Sequence, residues 1–292
     1  MTEMPWGRVS ICGRDAAALL QGQLTQDVNT ADGGHAPLAG WCTPKGRLLA
    51  LCRVLVPAPE RFELAVPAEL TAALARRLTM YVLRAQATVT DEGAGWDRTI
   101  VTADSAKTRG IVLEASPTAA LEAEGCWWIR LPGEPACLEV LGPVAAVAAL
   151  ALPESTQVSR ITAGLPSVYA ATSEAFIPQM LNLDVIGAVS FRKGCYTGQE
   201  IVARTQNLGR IKRRMARYVA DRPLDLAPGE RLMATATADD DATAVAQVVD
   251  CAGTEVLAVV ALDHAGMPLR AAGGEQLTPG PLPYAVPELP DP

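Results

Sequence analysis

The chain is poor in the residues most often used for chemistry. It has two histidines, His35 and His264, in 292 residues. A Ser-His-Asp triad, a metalloprotease helix or a histidine-built metal cage is therefore poorly supported. Proton transfer would fall to a carboxylate, a lysine or a thiol. Seven cysteines, Cys12, Cys42, Cys52, Cys126, Cys137, Cys195 and Cys251, are odd in number, scattered, and include no Cys-x-x-Cys pair. This argues against a zinc ribbon and a disulfide framework, and the expected compartment is a reducing cytoplasm. No apolar run approaches the ~20 residues of a membrane helix. The richest, Val144 to Leu152, is short and alanine-heavy. The opening residues, with Glu3 and Pro5, have neither a basic region nor an apolar signal core, so neither export nor membrane association is expected.

What is present is enough apolar material, 49% of residues, to bury the cores of two or three packed units. The net charge of −7 does not suggest a general nucleic-acid binder. The charge is unevenly spread, however. From Arg192 to Arg217 stand eight bases (Arg192, Lys193, Arg204, Arg210, Lys212, Arg213, Arg214 and Arg217) against one acid, Glu200, a local charge of +7. This is either a solvated basic face or a site for an anionic ligand.

Periodicity divides the chain. A strand over 7–12 ends at Gly13, and Asp15 is placed to cap a helix over 16–20. Residues 40–56, interrupted at Pro44-Lys45-Gly46, read as a hairpin, and 61–66 as a strand. A helix follows over 68–80, with Leu70, Leu74 and Leu78 on one stripe, then a strand over 84–90. A second unit repeats the pattern, with strands expected at 99–102, 110–114, 126–131 and 137–141 and a helix at 144–150. Two α+β units with antiparallel sheets are the expectation. A short helical segment is expected from Val158 to Gly164. After residue 215 no long helix is expected, and strands at 217–219, 231–233, 243–250 and 255–262 suggest a small β-barrel or sandwich. The expected organisation is 1–210 for the α+β region and 211–292 for the barrel. The residues from Pro279 onward read as extended.

One stretch stands out, Lys193-Gly194-Cys195-Tyr196-Thr197-Gly198-Gln199-Glu200. Gly194 and Gly198 permit positive φ and close backbone approach. Arg192 and Lys193 precede Cys195, and their charge would favour its thiolate, the nucleophilic and ligating form. The alternative is an inert cysteine filling a small hole. Tyr196 offers a stacking face and a hydroxyl, and Gln199 donates and accepts. Glu200 and Arg204 are spaced to pair on a helix, a structural role that competes with a ligand role. Trp127-Trp128 reads as one buried and one partly exposed aromatic. His264 reads as a turn residue, and Asp239-Asp240-Asp241 as a loop. Cys42 is a thiol that the fold could bring toward Cys195.

This stretch resembles the K-G-C-Y-x-G-Q-E signature of the YgfZ folate-binding family, which includes related mitochondrial iron–sulfur assembly factors. Further matches run in order along the chain: Gln21 to Val28, Pro44 to Arg47, Phe176 to Asp184, Ile201 to Arg204, and Pro281 to Tyr284. The resemblance implies a GcvT-like fold, a folate-binding region of two α+β lobes followed by a C-terminal β-barrel. It implies tetrahydrofolate or a derivative as cofactor, in a channel at the centre of a ring of three lobes. The expected site is Cys195, as a reactive or ligating thiol, and Lys193, with Trp6, Tyr196, Gln199 and Arg204 contacting the cofactor. The implied partners are folate and iron–sulfur enzymes or assembly proteins, with an indirect effect on tRNA.

The resemblance is incomplete at three places. A second family tryptophan corresponds to Val158, and an acid before Ala163-Gly164 corresponds to Thr162. In the related aminomethyltransferases a catalytic aspartate follows a glycine in the early hairpin. Here that run is Lys45-Gly46-Arg47-Leu48-Leu49-Ala50, without an acid. Asp27, the nearest early acid, reads as a cap or turn residue. Three functions follow for comparison: an accessory protein for iron–sulfur enzymes and thereby tRNA modification, a tetrahydrofolate-dependent one-carbon transferase, and a non-catalytic folate-binding module. Loss of the hairpin acid favours the first and third.

Overall fold

Leu70, Leu74 and Leu78 recur at helical spacing, and the helix they define covers one face of a sheet. In the computed structural model, which describes residues 4–133, 135–151, 157–207, 211–235 and 244–287, this helix is Ala68–Val82. The sheet strands are β1 (Trp6–Cys12), β2 (Leu38–Cys42), β3 (Leu48–Ala58), β4 (Arg61–Pro67), β5 (Thr88–Thr102), β6 (Ala120–Ala123), β7 (Cys126–Arg130) and β8 (Cys137–Pro143). Their order is β2-β3-β4-β1-β5-β8-β7-β6, and every described pairing is antiparallel. Helices α1 (Ala16–Gln21) and α2 (Ala68–Val82) belong to the first half, α3 (Ala103–Lys107) and α4 (Val144–Ala149) to the second. Helices α5 (Gln157–Thr162) and α6 (Gln199–Asn207) flank a long irregular connection. Strands β9 (Arg213–Ala220), β10 (Arg231–Ala234), β11 (Ala244–Ala252), β12 (Glu255–Ala261), β13 (Leu269–Arg270) and β14 (Gln276–Gly280) close a barrel in the order β10-β11-β12-β9-β14-β13.

The fold class is the expected one, α+β with a C-terminal barrel. The expected boundary at 210/211 adjoins residues 208–210, which lie outside the described ones. Three details differ. The two units share one sheet, because residues 88–90 of the strand expected at 84–90 and the whole strand expected at 99–102 belong to the single long β5, while 84–87 precede it. No strand forms at 110–114. Gly110, at φ +78°, ends α3, and Ile111 donates its N–H back to Ala106, so it packs as a helix stop. Strand β6 takes the sheet edge instead. Asp15 does not cap α1; its Oδ2 accepts the Gln86 N–H at 2.7 Å, tying the start of α1 to the turn before β5. The expected extended tail includes Pro279 and Gly280 of β14. The Asp239–Asp241 loop lies outside the described residues.

The first core lies between α1, α2 and the sheet, with Val9, Ile11, Leu64 and Val66 beneath Leu70, Leu74 and Leu78. On that scale, burying one leucine contributes roughly 1.5–3 kcal/mol. A second cluster joins Leu48 and Leu51 of the sheet to Ile161 of α5, to Leu181 and Leu183 of the connection and to Met215 and Leu257 of the barrel. This shared core fastens the connection between sheet and barrel.

Candidate functional site

Two of the segments singled out in the sequence meet. At the centre is Thr25, fully buried. Its hydroxyl donates to the Ala188 carbonyl at 2.7 Å and accepts from the Gly40 N–H at 2.8 Å. Its own carbonyl accepts the Ser190 N–H at 2.9 Å. Lys193 then crosses the Gln21–Val28 turn. Its Nζ donates to the Leu24 carbonyl at 2.7 Å and the Gln26 carbonyl at 2.8 Å, and lies 5.2 Å from the Tyr196 ring centroid. The Thr197 N–H donates to Gly22 at 3.2 Å. Asp27 caps the 3-10 turn Val28–Thr30 through the Asn29 N–H at 3.0 Å, and its carboxylate also accepts from Gln21. It is a cap residue, as the sequence reading favoured.

The Lys193 geometry alters its expected role. Its ammonium is committed to two carbonyls and is buried, so it clamps the loop. Burial pulls its pKa down to about 8, with Asp27 opposing. Arg192 is left as the exposed cation beside Cys195 in sequence. Cys195 is an exposed thiol. The two glycines differ. Gly198 sits at φ +86°, where a Cβ would lie 2.4 Å from the Thr43 carbonyl and 3.1 Å from Cys42 Cβ. Gly194 has no positive φ, and a Cβ there would meet nothing within 4 Å.

The other expected residues are scattered around this loop. Tyr196 is buried, with its phenol pKa raised by burial and then by Cys42. It packs inward rather than offering an open stacking face. Gln199 is used by the loop itself, its Oε1 accepting the Tyr196 N–H at 3.2 Å. Arg204 is exposed on α6, and no ion pair forms between it and Glu200, although the helix supplies the expected spacing. Cys42 lies beneath Gly198, and burial raises its thiol pKa to about 12. Trp6 belongs to a separate cluster with Trp96 and Trp127. It is 5% exposed, and the Arg98 guanidinium covers one face at 4.4 Å. Trp127 and Trp128 are both buried, correcting the expectation that one is partly exposed.

Sequence reasoning missed a buried ionic centre. Glu139 of β8 pairs with Arg53 of β3 and Arg98 of β5, and Arg98 donates to the Ser167 hydroxyl at 3.1 Å. Arg160 of α5 pairs with Asp250 of β11, and the Tyr169 hydroxyl donates to the same carboxylate at 3.0 Å. Burial opposes the charge of Glu139, but Arg53 and Arg98 overcome it and hold the carboxyl below its ordinary range. Arg98 is lowered to about 10 by burial, with Glu139 opposing and Arg160 adding to the fall. The available signal was a charged residue inside an apolar strand: Arg53 between Cys52 and Val54, Glu139 between Leu138 and Val140.

A cleft of about 300 Å³ opens where the second half of the sheet, α5 and the barrel meet. Its wall includes Cys137, Thr162, Arg217 and the terminal Pro281-Leu282-Pro283. The Tyr284 hydroxyl anchors that terminal segment by donating to the Gly164 carbonyl at 2.7 Å. Thr162 lines this cleft, whereas Trp6, Tyr196, Gln199 and Arg204 do not. Among the described residues no cluster of metal-ligating side chains forms, and no helix is long and apolar enough to cross a membrane.

No family model matches the chain. Among curated proteins, the tRNA-modifying protein YgfZ of Colwellia psychrerythraea is 31% identical over 219 residues, covering 71% of this chain and 67% of its own. That of Klebsiella pneumoniae is 31% identical over 229 residues, covering 73% and 69%. The chain belongs to the YgfZ family. A more distant YgfZ, from Edwardsiella ictaluri, is 27% identical but spans 96% of this chain and 91% of its own. A solved structure, the glycine cleavage system aminomethyltransferase T from Bartonella henselae, matches with a TM-score of 0.66 at 16% identity, covering 96% of this chain and 84% of that one. The chain thus shares the fold of that aminomethyltransferase.

Proposed function

We propose that this YgfZ-family chain is a folate-binding accessory protein that supports maturation or repair of iron–sulfur enzymes and, through them, tRNA modification. The observation that carries the reading is the exposed Cys195 thiol, on a loop held from inside by Lys193 and Gly198. A thiol that only filled a hole would be buried. An accessible one beside Arg192 suits ligation of iron or attack on sulfur. The curated relatives bear the name tRNA-modifying protein. Aminomethyl transfer is not proposed. The run 45–50 carries no carboxylate, and Leu48 and Ala50 are buried in the sheet.

The proposed cofactor is tetrahydrofolate or a derivative. The cleft beside Thr162 is at the small end of ligand pockets and suits a flat bicyclic ring. Thr162 would be a polar contact, and Arg217, already paired with Glu255, forms part of the wall. Trp6 is buried with Arg98 over one face of its ring, and it does not line this cleft. A reduced folate at ~100 times its dissociation constant should stabilise the protein by about 2.7 kcal/mol. Absence of any melting shift at saturation removes folate from the proposal. For the thiol, the test is tRNA thiolation in a deletion strain. Cys195→Ala and Cys195→Ser should abolish complementation while leaving soluble, folded protein. Full rescue by Cys195→Ala would leave a non-catalytic binding module.

A further inference from the structure

The basic segment around the thiol separates into two populations once its partners are known. Lys193 is spent on carbonyls. Arg214 is buried and makes two 2.8 Å contacts with Asp184. Arg217 pairs with Glu255 at 2.7 Å. These three are parts of the fold. Arg192 and Arg204, like Lys212 and Arg213 at the entry to β9, are exposed, and none of the four pairs with a carboxylate among the described residues. A further exposed cation comes from far away in sequence. Lys45 lies at the tip of the β2–β3 hairpin, and the next residue, Gly46, lies against α6, where a Cβ would be 2.9 Å from Ile201. The hairpin tip thus packs on the helix that carries Arg204. Phe191, 46% exposed, precedes Arg192. The segments that build this face, 44–47 and 191–207, contain one acid, Glu200. On a chain of net charge −7, cations from three separated positions bracket the Cys195 loop.

We propose that this face docks RNA, with Lys45, Arg192 and Arg204 on phosphates and Phe191 stacked on an unpaired base. Phosphate contacts supply affinity without sequence preference, and one aromatic face supplies a stacking platform. The single exposed large apolar side chain in these segments argues for this partner. Phe191 alone offers too little apolar area for a membrane anchor or the core of a protein interface, but enough for one base. The inference rests on the tRNA-modification reading above and adds a direct contact. The accessory protein would sit on the RNA through the face around the Cys195 loop.

The test uses the full chain and an unmodified tRNA transcript, with binding followed by fluorescence anisotropy across a salt series. Wild-type protein should bind at least in the micromolar range at ~50 mM salt, with a log–log salt slope of roughly −2 to −3 for three phosphate contacts. The double variant Arg192→Glu/Arg204→Glu should weaken binding at least 10-fold, and the slope should become shallower by about 2. Lys45→Glu should weaken it less. Phe191→Ala should cost roughly 5- to 100-fold with the slope unchanged. A matched reversal at another exposed basic patch, Arg76→Glu/Arg84→Glu on and just after α2, should change affinity less than 3-fold. Melting curves check that each variant is folded. Equal weakening by the α2 reversal overturns the assignment, as does no binding below ~100 μM. Binding of phosphatidylserine vesicles through the same residues without tRNA binding overturns it in favour of a membrane surface. Complementation separates the two levels. If tRNA fails to bind while wild-type protein restores thiolation, the docking face is wrong and the accessory role stands. If wild-type protein restores no thiolation, the accessory role itself has failed.

Discussion

Arginine does opposite work in two regions of this molecule. At the centre, Arg53, Arg98 and Arg160 are buried and matched by Glu139 and Asp250. Around the Cys195 loop, Arg192 and Arg204 are exposed, with no carboxylate partner among the described residues. The centre spends its charges internally to join strands distant in sequence. The loop is anchored mainly through backbone carbonyls and leaves its charges pointing outward. Fixed internal charge builds the frame, and unpaired external charge is what remains available to a partner.

The largest expected effect tests the centre. Glu139→Ala removes the carboxylate between two buried guanidiniums and should cost about 3–5 kcal/mol in urea denaturation. A loss below ~1 kcal/mol would mean that the network is energetically neutral. The pH dependence has a definite sign. The folded carboxyl is held below its ordinary range, so on acidification the unfolded chain takes the proton first. Its stabilising share is complete above the unfolded value near ~4.3 and is lost as pH falls through the folded value. Glu139→Gln should therefore flatten the acid limb of the stability profile.

Next comes a contrast within the loop itself. Gly198→Ala sets a Cβ against the Thr43 carbonyl at a positive φ and should cost about 2–3 kcal/mol. Gly194→Ala meets open space and should change stability by less than ~0.5 kcal/mol. Equal costs would show that the loop is not seated on the hairpin as described. The smallest effect is on reactivity rather than stability. Cys195 should react with a thiol reagent in the native protein at neutral pH, while Cys42 and Cys52 stay silent. Burial raises both of the latter to about 12. These raised values also mean that their share of stability is full below ~8.5 and is lost as pH climbs toward 12. Native labelling of Cys42 ahead of Cys195 would reverse the inside–outside assignment of the two thiols.

Much of the fold was legible because local signals agreed with it. Leu70, Leu74 and Leu78 mark α2, and Pro44-Lys45-Gly46 marks the hairpin tip. Strand β5 was not legible. Gly93 and Gly95, at φ +68° and +128°, read as a break. In the sheet they sit at an irregular stretch of the β1–β5 pairing, where Gly7 passes so close that a Cβ on it would lie 2.3 Å from the Gly93 carbonyl. Close backbone approach is a pair property, invisible from one strand. The site divides the same way. The signature motif picked out Cys195, but the work of Lys193 depends on carbonyls 167 and 169 residues away. Trp6 carried a family role in the sequence, yet packing sets Arg98 against its face.

The length of β5 has a consequence for how the molecule comes apart. Val89 packs on the core under α2, and Trp96 belongs to the tryptophan cluster. Ile100 joins the core shared with the barrel, and Val101 the core under α4. One strand of 15 residues is therefore common to four packed regions. Pulling it from any one exposes apolar surface in the others. The two halves of the sheet should melt in a single calorimetric transition, with calorimetric and van't Hoff enthalpies in agreement. A break inside 88–102 should leave neither fragment able to fold alone, whereas proteolysis in the loops outside that strand should spare the core.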